Sequence, residues 1–344
     1  GIDSITSGSG VDTIDGGAGN DTITMAGNLT AADTIDGGAG ADTLEVTSVS
    51  AAALAGVSNI ETLAVTGVST VSLTSDLTFT TIDLSAASAQ TLTFAKGYLA
   101  ATTVALKSAV STDVITNTAG IAMTVDATSA DAVTATMTIT GHATKLNDAL
   151  IMSAGDATTG TTGDDGSAVL TNVTNVNSIT LRKGKDAGDD VFVNLGSYAT
   201  KLTIDASAMN VASVTNAAGT SVTDAADAML NLTASSATKD LTVTATSGWD
   251  TIAAGQGNDS YTLGLGNDTI TFATGKLTNL DTVAGGEGSD TISTDSATAV
   301  VDVNFINVTS VENLTLTDTT SNVTLSTYAS AAGITKVTLE TGNG

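Results

Sequence analysis

From residue 4 to residue 45 the chain repeatedly sets one aliphatic side chain between polar neighbours. Ser-Ile-Thr, Thr-Ile-Asp, Thr-Ile-Thr, Thr-Ile-Asp and Thr-Leu-Glu place Ile5, Ile14, Ile23, Ile35 and Leu44 at the centre of five such triplets. A triplet is too short for a helical stripe; it predicts a very short strand with one inward residue. Longer period-two runs follow at 69–75 (STVSLTS), 90–95 (QTLTFA), 123–127 (MTVDA), 135–140 (ATMTIT), 201–208 (KLTIDASA), 240–247 (DLTVTATS) and 336–342 (KVTLETG). These also read as strands. Helical candidates are few and short, around 49–56, 223–231 and 327–332, and are expected to be turns or single-turn caps.

The polar stretches between the triplets repeat as well. Aligned on aspartate, Asp3, Asp12 and Asp21 are nine residues apart; a short insertion follows, then Asp33 and Asp42. The pattern returns with Asp250, Asp259 and Asp268, an insertion, then Asp281 and Asp290. Each block reads three copies, a gap, two copies, and the gaps agree at 12 and 13 residues. Paired glycines precede many of these aspartates: Gly17 and Gly19, Gly38 and Gly40, Gly255 and Gly257, Gly264 and Gly266, Gly286 and Gly288. Such a half-repeat can turn sharply, because glycine accepts positive φ and lets carbonyls approach. Two nonapeptides then make one coil of a flattened right-handed solenoid, and aspartates two repeats apart stack. Asp3, Asp21 and Asp42 would share one edge, and Asp12 and Asp33 the other. Stacked carboxylates repel unless a cation lies between them. Turn carbonyls with Asp oxygens form a hard, all-oxygen environment suited to Ca²⁺. A phosphate-binding glycine loop would need a helix after the glycines; strand residues follow instead.

Composition sharpens this picture. Among 344 residues there is no Cys, so no disulfide or thiolate-held metal can contribute. Net charge is −26, and 31 of the 36 acids are Asp, a residue of turns and cation sites rather than of helices. Such acidity disfavours nucleic acid and anionic membrane as partners. A hydrophobic content of 41% and a mean hydropathy of +0.25 argue against disorder. Aromatics at 3% point to a thin solenoid of stacked small residues rather than a large conventional core. No apolar run approaches the roughly 20 residues of a membrane-spanning helix. The chain starts at Gly1 without Met or signal peptide and ends in TGNG (341–344), the opening of a nonapeptide. The expectation is a fragment whose parent chain continues into another repeat.

Other chemistry finds little support. His142 is the only histidine, which leaves His-based zinc sites and Ser-His-Asp triads little to draw on. Residues 141–166 resemble a decayed calcium block in which Asp148 keeps its place but the glycines are displaced. Asp156, Asp164 and Asp165 there read as solvated loop acids. RKGKDAGDD (182–190) reads as a solvated charged loop, with a docking patch for an acidic neighbour as the functional alternative. Trp249 lies inside a calcium repeat, on an inner face or at an interface.

The nonapeptide G-G-x-G-x-D-x-U-x is a known calcium-binding signature, and on these motifs the chain resembles the RTX (repeats-in-toxin) proteins of bacteria. The phrases LAGVSNIETLAVTG (54–67), LTNVTNVNSITLRKG (170–184) and INVTSVENLTLTD (306–318) make it similar, more narrowly, to calcium-dependent surface-layer (S-layer) proteins. The resemblance implies type I secretion and an extracellular, cell-surface location.

The expected fold is all-β, a parallel β-roll or β-solenoid. A calcium block at 1–45 precedes a solenoid segment at 46–140. A degenerate block with more solenoid follows at 141–246, then a second calcium block at 247–293. A solenoid segment at 294–344 runs into a further repeat. The expected function is structural and non-enzymatic: a surface-layer component that folds and self-assembles on binding several Ca²⁺ ions. Its partners would be copies of itself and, through a region outside this sequence, cell-surface polysaccharide. The rivals are an extender region of an RTX adhesin and the calcium-binding tail of a secreted enzyme.

Overall fold

In the computed structural model the described residues are 1–67, 70–74, 77–84, 90–106, 114–126, 138–145, 148–153, 166–168, 173–182, 191–195, 198, 200–209, 214–215, 221–222, 229–295, 299–317 and 323–340. The loop acids Asp156, Asp164 and Asp165, the charged stretch 183–190, the helical candidate over 223–228 and the terminal 341–344 lie outside them.

The chain forms a parallel β-solenoid in two compact units. One comprises Gly1–Met152 with Asn172–Asn177, the other Ser153–Thr171 with Ser178–Gly344. In the first unit, one wall stacks the strands Ser4–Thr6, Thr22–Ala26, Thr43–Val46, Thr62–Val65, Thr81–Leu84, Thr102–Leu106, Met123–Asp126 and Ala149–Ser153. Register puts like on like: Ile5 on Ile23, Ile23 on Leu44, Leu44 on Leu63, Leu63 on Ile82, and on through Val104 and Val125 to Leu150. The facing wall stacks Ile14 on Ile35 and Ile35 on Val57, and farther along Val71, Leu92, Ile115, Ile139 and Val173. Because side chains alternate along a strand, the central aliphatic of each triplet falls inward and its Thr or Ser neighbours outward. Ile23, Ile35, Leu44 and Leu63 are completely buried.

The second unit repeats the scheme. Ile179, Ile204, Val243, Tyr261, Val283 and Val308 stack along one wall. Val193, Leu232, Ile252, Ile270, Ile292, Leu314 and Val337 stack along the other. Among the described pairings only Val214–Thr215 with Ser221–Val222 is antiparallel. Four of the aromatics pair in the core: Phe94 packs on Tyr98 with ring centroids 5.3 Å apart, and Tyr261 meets Phe272 edge-on at 6.1 Å.

Of the three helical candidates, the first is a single 3₁₀ turn at Ala53–Gly56. The third is a six-residue α-helix, Thr327–Ala332, stopped by Gly333 at φ 101°. The end of the second is a strand, Leu230–Thr233. Trp249 sits on the surface, 44% exposed. Among the described residues no helix is long and apolar enough to cross a membrane.

Candidate calcium sites

The aspartates form ladders along the solenoid edges, built by one recurring hydrogen bond. The backbone N–H of Asp3 donates to Asp21 Oδ1 at 2.7 Å, and that of Asp21 to Asp42 Oδ1 at 2.8 Å. In the second block Asp250 donates to Asp268 at 2.7 Å and Asp268 to Asp290 at 2.9 Å. On the opposite edges Asp12 donates to Asp33 at 2.8 Å and Asp259 to Asp281 at 2.9 Å. Each coil therefore uses one carboxylate oxygen to satisfy a turn amide of the coil before it.

Leaving aside Asp3, whose side chain is 57% exposed, the second carboxylate oxygen divides the aspartates into two groups. Oδ2 of Asp21, Asp42, Asp268 and Asp290 is buried and meets no donor. These four residues are at most 1% exposed, and all lie on the same edge of their block. An unpaired buried carboxylate oxygen is costly, and four at equivalent positions are what a bound cation would relieve. On the other edge the need is already met. Thr30 donates its N–H and its hydroxyl to Asp33 Oδ2 at 2.7 and 3.0 Å. Thr278 does the same to Asp281 Oδ2 at 2.7 and 2.9 Å. Tyr261 Oη donates to Asp259 Oδ2 at 3.0 Å, and the Ser7 hydroxyl donates to Asp12 Oδ2. Asp250 ends its own ladder, where the Thr246 N–H meets Oδ2 at 2.9 Å.

Glycine makes these turns close enough to share oxygens. Gly38 has φ +94°, and a methyl group there would lie 1.9 Å from Gly17 O of the previous coil. Gly286, at φ +112°, stands likewise 1.8 Å from Gly264 O. Gly19, Gly40, Gly266 and Gly288 stack in the same tight manner. Gly255 and Gly257 differ. Neither adopts positive φ, and their turn carries the Tyr261-bonded Asp259. Where a glycine precedes the pair, as Gly16, Gly37 and Gly285 do, it proves as close to the chemistry. A methyl group at Gly16 would lie 2.6 Å from Gly37 O and 3.0 Å from Asp21 Oδ2.

Burial pushes the Asp268 carboxyl up to about 8, with the Asp250 and Asp290 carboxylates adding to the rise against the Asp250 N–H. Burial likewise raises Asp290, with Glu312 adding to it, and raises Asp259. Asp33 goes the other way: the Asp12 and Thr30 N–H groups hold its carboxyl below the usual range. On the open edge of the second block, Asp268 and Asp290 are thus carboxylates that a positive partner would stabilise.

The residues present fit Ca²⁺. Among the described residues no three His, Cys, Asp or Glu side chains converge, so donors must come largely from stacked turn carbonyls with one or two carboxylates, as Ca²⁺ accepts. Asp21, Asp42, Asp268 and Asp290 with the Gly-turn carbonyls beside them would hold the ion. The ion would neutralise the edge.

Sequence reasoning missed Glu61, Glu312, Thr30 and Thr278. Glu61 Oε2 accepts from the Asp42 N–H at 2.8 Å, and Glu312 Oε2 from the Asp290 N–H at 2.9 Å, so each extends its aspartate ladder by one coil. The signal for the threonines was available: both insertions end in Leu-Thr-x-x-Asp.

Four stretches, residues 1–24, 30–46, 242–270 and 280–297, match the family model of the RTX calcium-binding nonapeptide repeat. Neither a curated protein nor a solved structure matches the chain. The chain thus carries RTX calcium-binding repeats in a parallel β-solenoid, a combination consistent with secreted RTX proteins.

Proposed function

We propose that the chain is a structural extender module of a secreted RTX protein, folded by calcium once outside the cell. The observation that carries this reading is the pair of buried, partnerless Asp oxygens on one edge of each block, four in all. With calcium scarce, these carboxylates and a net charge of −26 oppose coil stacking. With calcium abundant, binding free energy becomes folding free energy. A chain held unfolded until it meets calcium suits export through a narrow channel, and the ordered solenoid then serves as a spacer.

The extender reading takes precedence over a surface layer for a physical reason. The phrases that carry the narrower resemblance perform a task inside the fold. Val57, Val173 and Val308 are buried, and Asn59, Asn175 and Ser310 turn the chain through positive φ. Any solenoid of this kind needs such coils, whatever it assembles into. The surface-layer reading adds lateral association, in which calcium bridges carboxylates of neighbouring acidic rods.

The test is limited proteolysis of the chain with chelator and with millimolar Ca²⁺, followed by electron microscopy of the calcium form. The module reading expects cleavage throughout both blocks in chelator, protection in calcium, and separate rods. Equal protection in both conditions overturns it. Ordered sheets that require Ca²⁺, and that NaCl at matched ionic strength does not produce, would establish the surface-layer reading instead.

A further inference from the structure

The last nonapeptide turn of each block is covered by one of the closing phrases, at 57–63 and 308–314, rather than by another nonapeptide. A third copy, at 173–177, covers the turn that carries Asp148. All three share a left-handed residue, Asn59, Asn175 and Ser310, with φ of 49°, 58° and 53°. In each, that residue's carbonyl faces a glycine of the turn beneath. A methyl group at Gly37 would lie 2.0 Å from Asn59 O and 2.9 Å from Asp42 Oδ2. At Gly285 it would lie 1.8 Å from Ser310 O and 2.5 Å from Asp290 Oδ2. At Gly141 it would lie 2.4 Å from Asn175 O and 2.6 Å from Asp148 Oδ2. Three times, then, a carbonyl oxygen and a carboxylate oxygen border one small space.

What meets the carboxylate distinguishes them. Asp148 is fully served by the protein: Asn117 Nδ2 and the Met123 N–H donate to Oδ1 at 2.8 and 3.2 Å, and the His142 N–H to Oδ2 at 2.6 Å. Asp42 and Asp290 are completely buried, and their Oδ2 atoms meet no donor. Charge differs in the same sense. Glu61 and Glu312 bring a second carboxylate to the first two copies, where the third has the neutral Asn177.

We propose that the closing phrases at 57–63 and 308–314 each complete a divalent-cation site of their own, formed by Asp42 Oδ2 with Asn59 O and by Asp290 Oδ2 with Ser310 O. In the copy at 173–177, hydrogen bonds take the place of the ion. Asn59, Glu61, Ser310 and Glu312 all lie outside the stretches that match the nonapeptide model. Glu61 and Glu312 are positioning residues: they hold the Asp42 and Asp290 amides and supply the second negative charge. The inference rests on the reading that the nonapeptide edges bind calcium, and it fixes where the bound row ends.

Crystals of the full chain grown in Ca²⁺, with anomalous scattering to locate ions, test it. Ions are expected between nonapeptide turns and at both closing phrases, with none beside Asp148. Ions between nonapeptide turns alone would overturn this inference and leave the calcium reading standing. No ion anywhere would overturn the calcium reading itself. An ion beside Asp148 would refute the claim that hydrogen bonds replace it there. A solution arm counts bound calcium in the E61Q/E312Q variant, which keeps an oxygen acceptor for each amide. The two closing ions should weaken by about tenfold or more, the usual effect of removing a group that supports a ligand, while circular dichroism at saturating Ca²⁺ stays unchanged. Unaltered affinity of every ion would contradict the role given to the glutamates. If the variant does not fold in Ca²⁺, the crystals of the unaltered chain decide.

Discussion

Thr30 donates both its N–H and its hydroxyl to Asp33 Oδ2, at 2.7 and 3.0 Å, and Thr278 stands to Asp281 in the same way. The insertion in each block therefore performs a task. It supplies protein donors on one edge, where the opposite edge leaves carboxylate oxygens open.

The two edges should respond differently to loss of charge. Asp281→Asn should leave the number of bound Ca²⁺ ions unchanged, since its carboxylate already has three donors. Asp290→Asn should lower that number. Equilibrium dialysis of both variants against radioactive calcium checks this. Equal losses would mean that the hydrogen-bonded edge also carries ions.

Position within a ladder should matter too. Asp3 is 57% exposed, whereas Asp21 is buried between the coils of Asp3 and Asp42. Asp21→Ala should weaken calcium binding far more than Asp3→Ala. Calcium titrations of the two variants measure this, and indistinguishable curves would contradict the shared edge.

The turn glycines predict a steric contrast. Gly38→Ala and Gly286→Ala would each force a methyl group to within 2 Å of a carbonyl oxygen at positive φ. Each should cost about 3 kcal/mol or more, from strain and lost stacking. Gly8→Ala has nothing within 4 Å and should be close to neutral. Thermal unfolding in saturating Ca²⁺ gives the comparison.

Acidity should favour the calcium-free fold. Burial pushes the folded Asp268 carboxyl up to about 8, against an ordinary value of 3.8. Between those values the folded chain holds a proton that the unfolded chain has released. Stability without calcium is therefore greatest at the acid end of that window and falls as pH rises toward about 8. With calcium present the order reverses, because protons compete with the ion for the same carboxylates. Unfolding midpoints across that range, with chelator and with Ca²⁺, would show both slopes.

Much of this was legible in the sequence. The nine-residue spacing placed Ile5, Ile23 and Leu44 in one stack and Asp3, Asp21 and Asp42 on one edge, because a solenoid repeats its sequence period in space. The inequality of the ten aspartates was not legible from that period. It depends on donors outside the repeat: Thr30, Thr278 and the Tyr261 hydroxyl, which stands at a position where an aliphatic side chain was expected. Glu61 and Glu312 were visible within a recurring phrase, but their reach back to the amides of Asp42 and Asp290 is a three-dimensional fact. Asp148 shows the converse. Its turn has lost the glycine pattern, and the burial and hydrogen bonding of its carboxylate emerge only once Asn117 and Met123 are brought beside it.

The central claim is that open carboxylate oxygens on one edge make the fold depend on calcium. Far-ultraviolet circular dichroism of the purified chain, recorded in chelator and again after addition of millimolar Ca²⁺, tests it most directly. The account predicts a largely unfolded spectrum in chelator at neutral pH and a strong β signal once Ca²⁺ is added. A strong β signal already present in chelator, and unchanged by calcium, would contradict it.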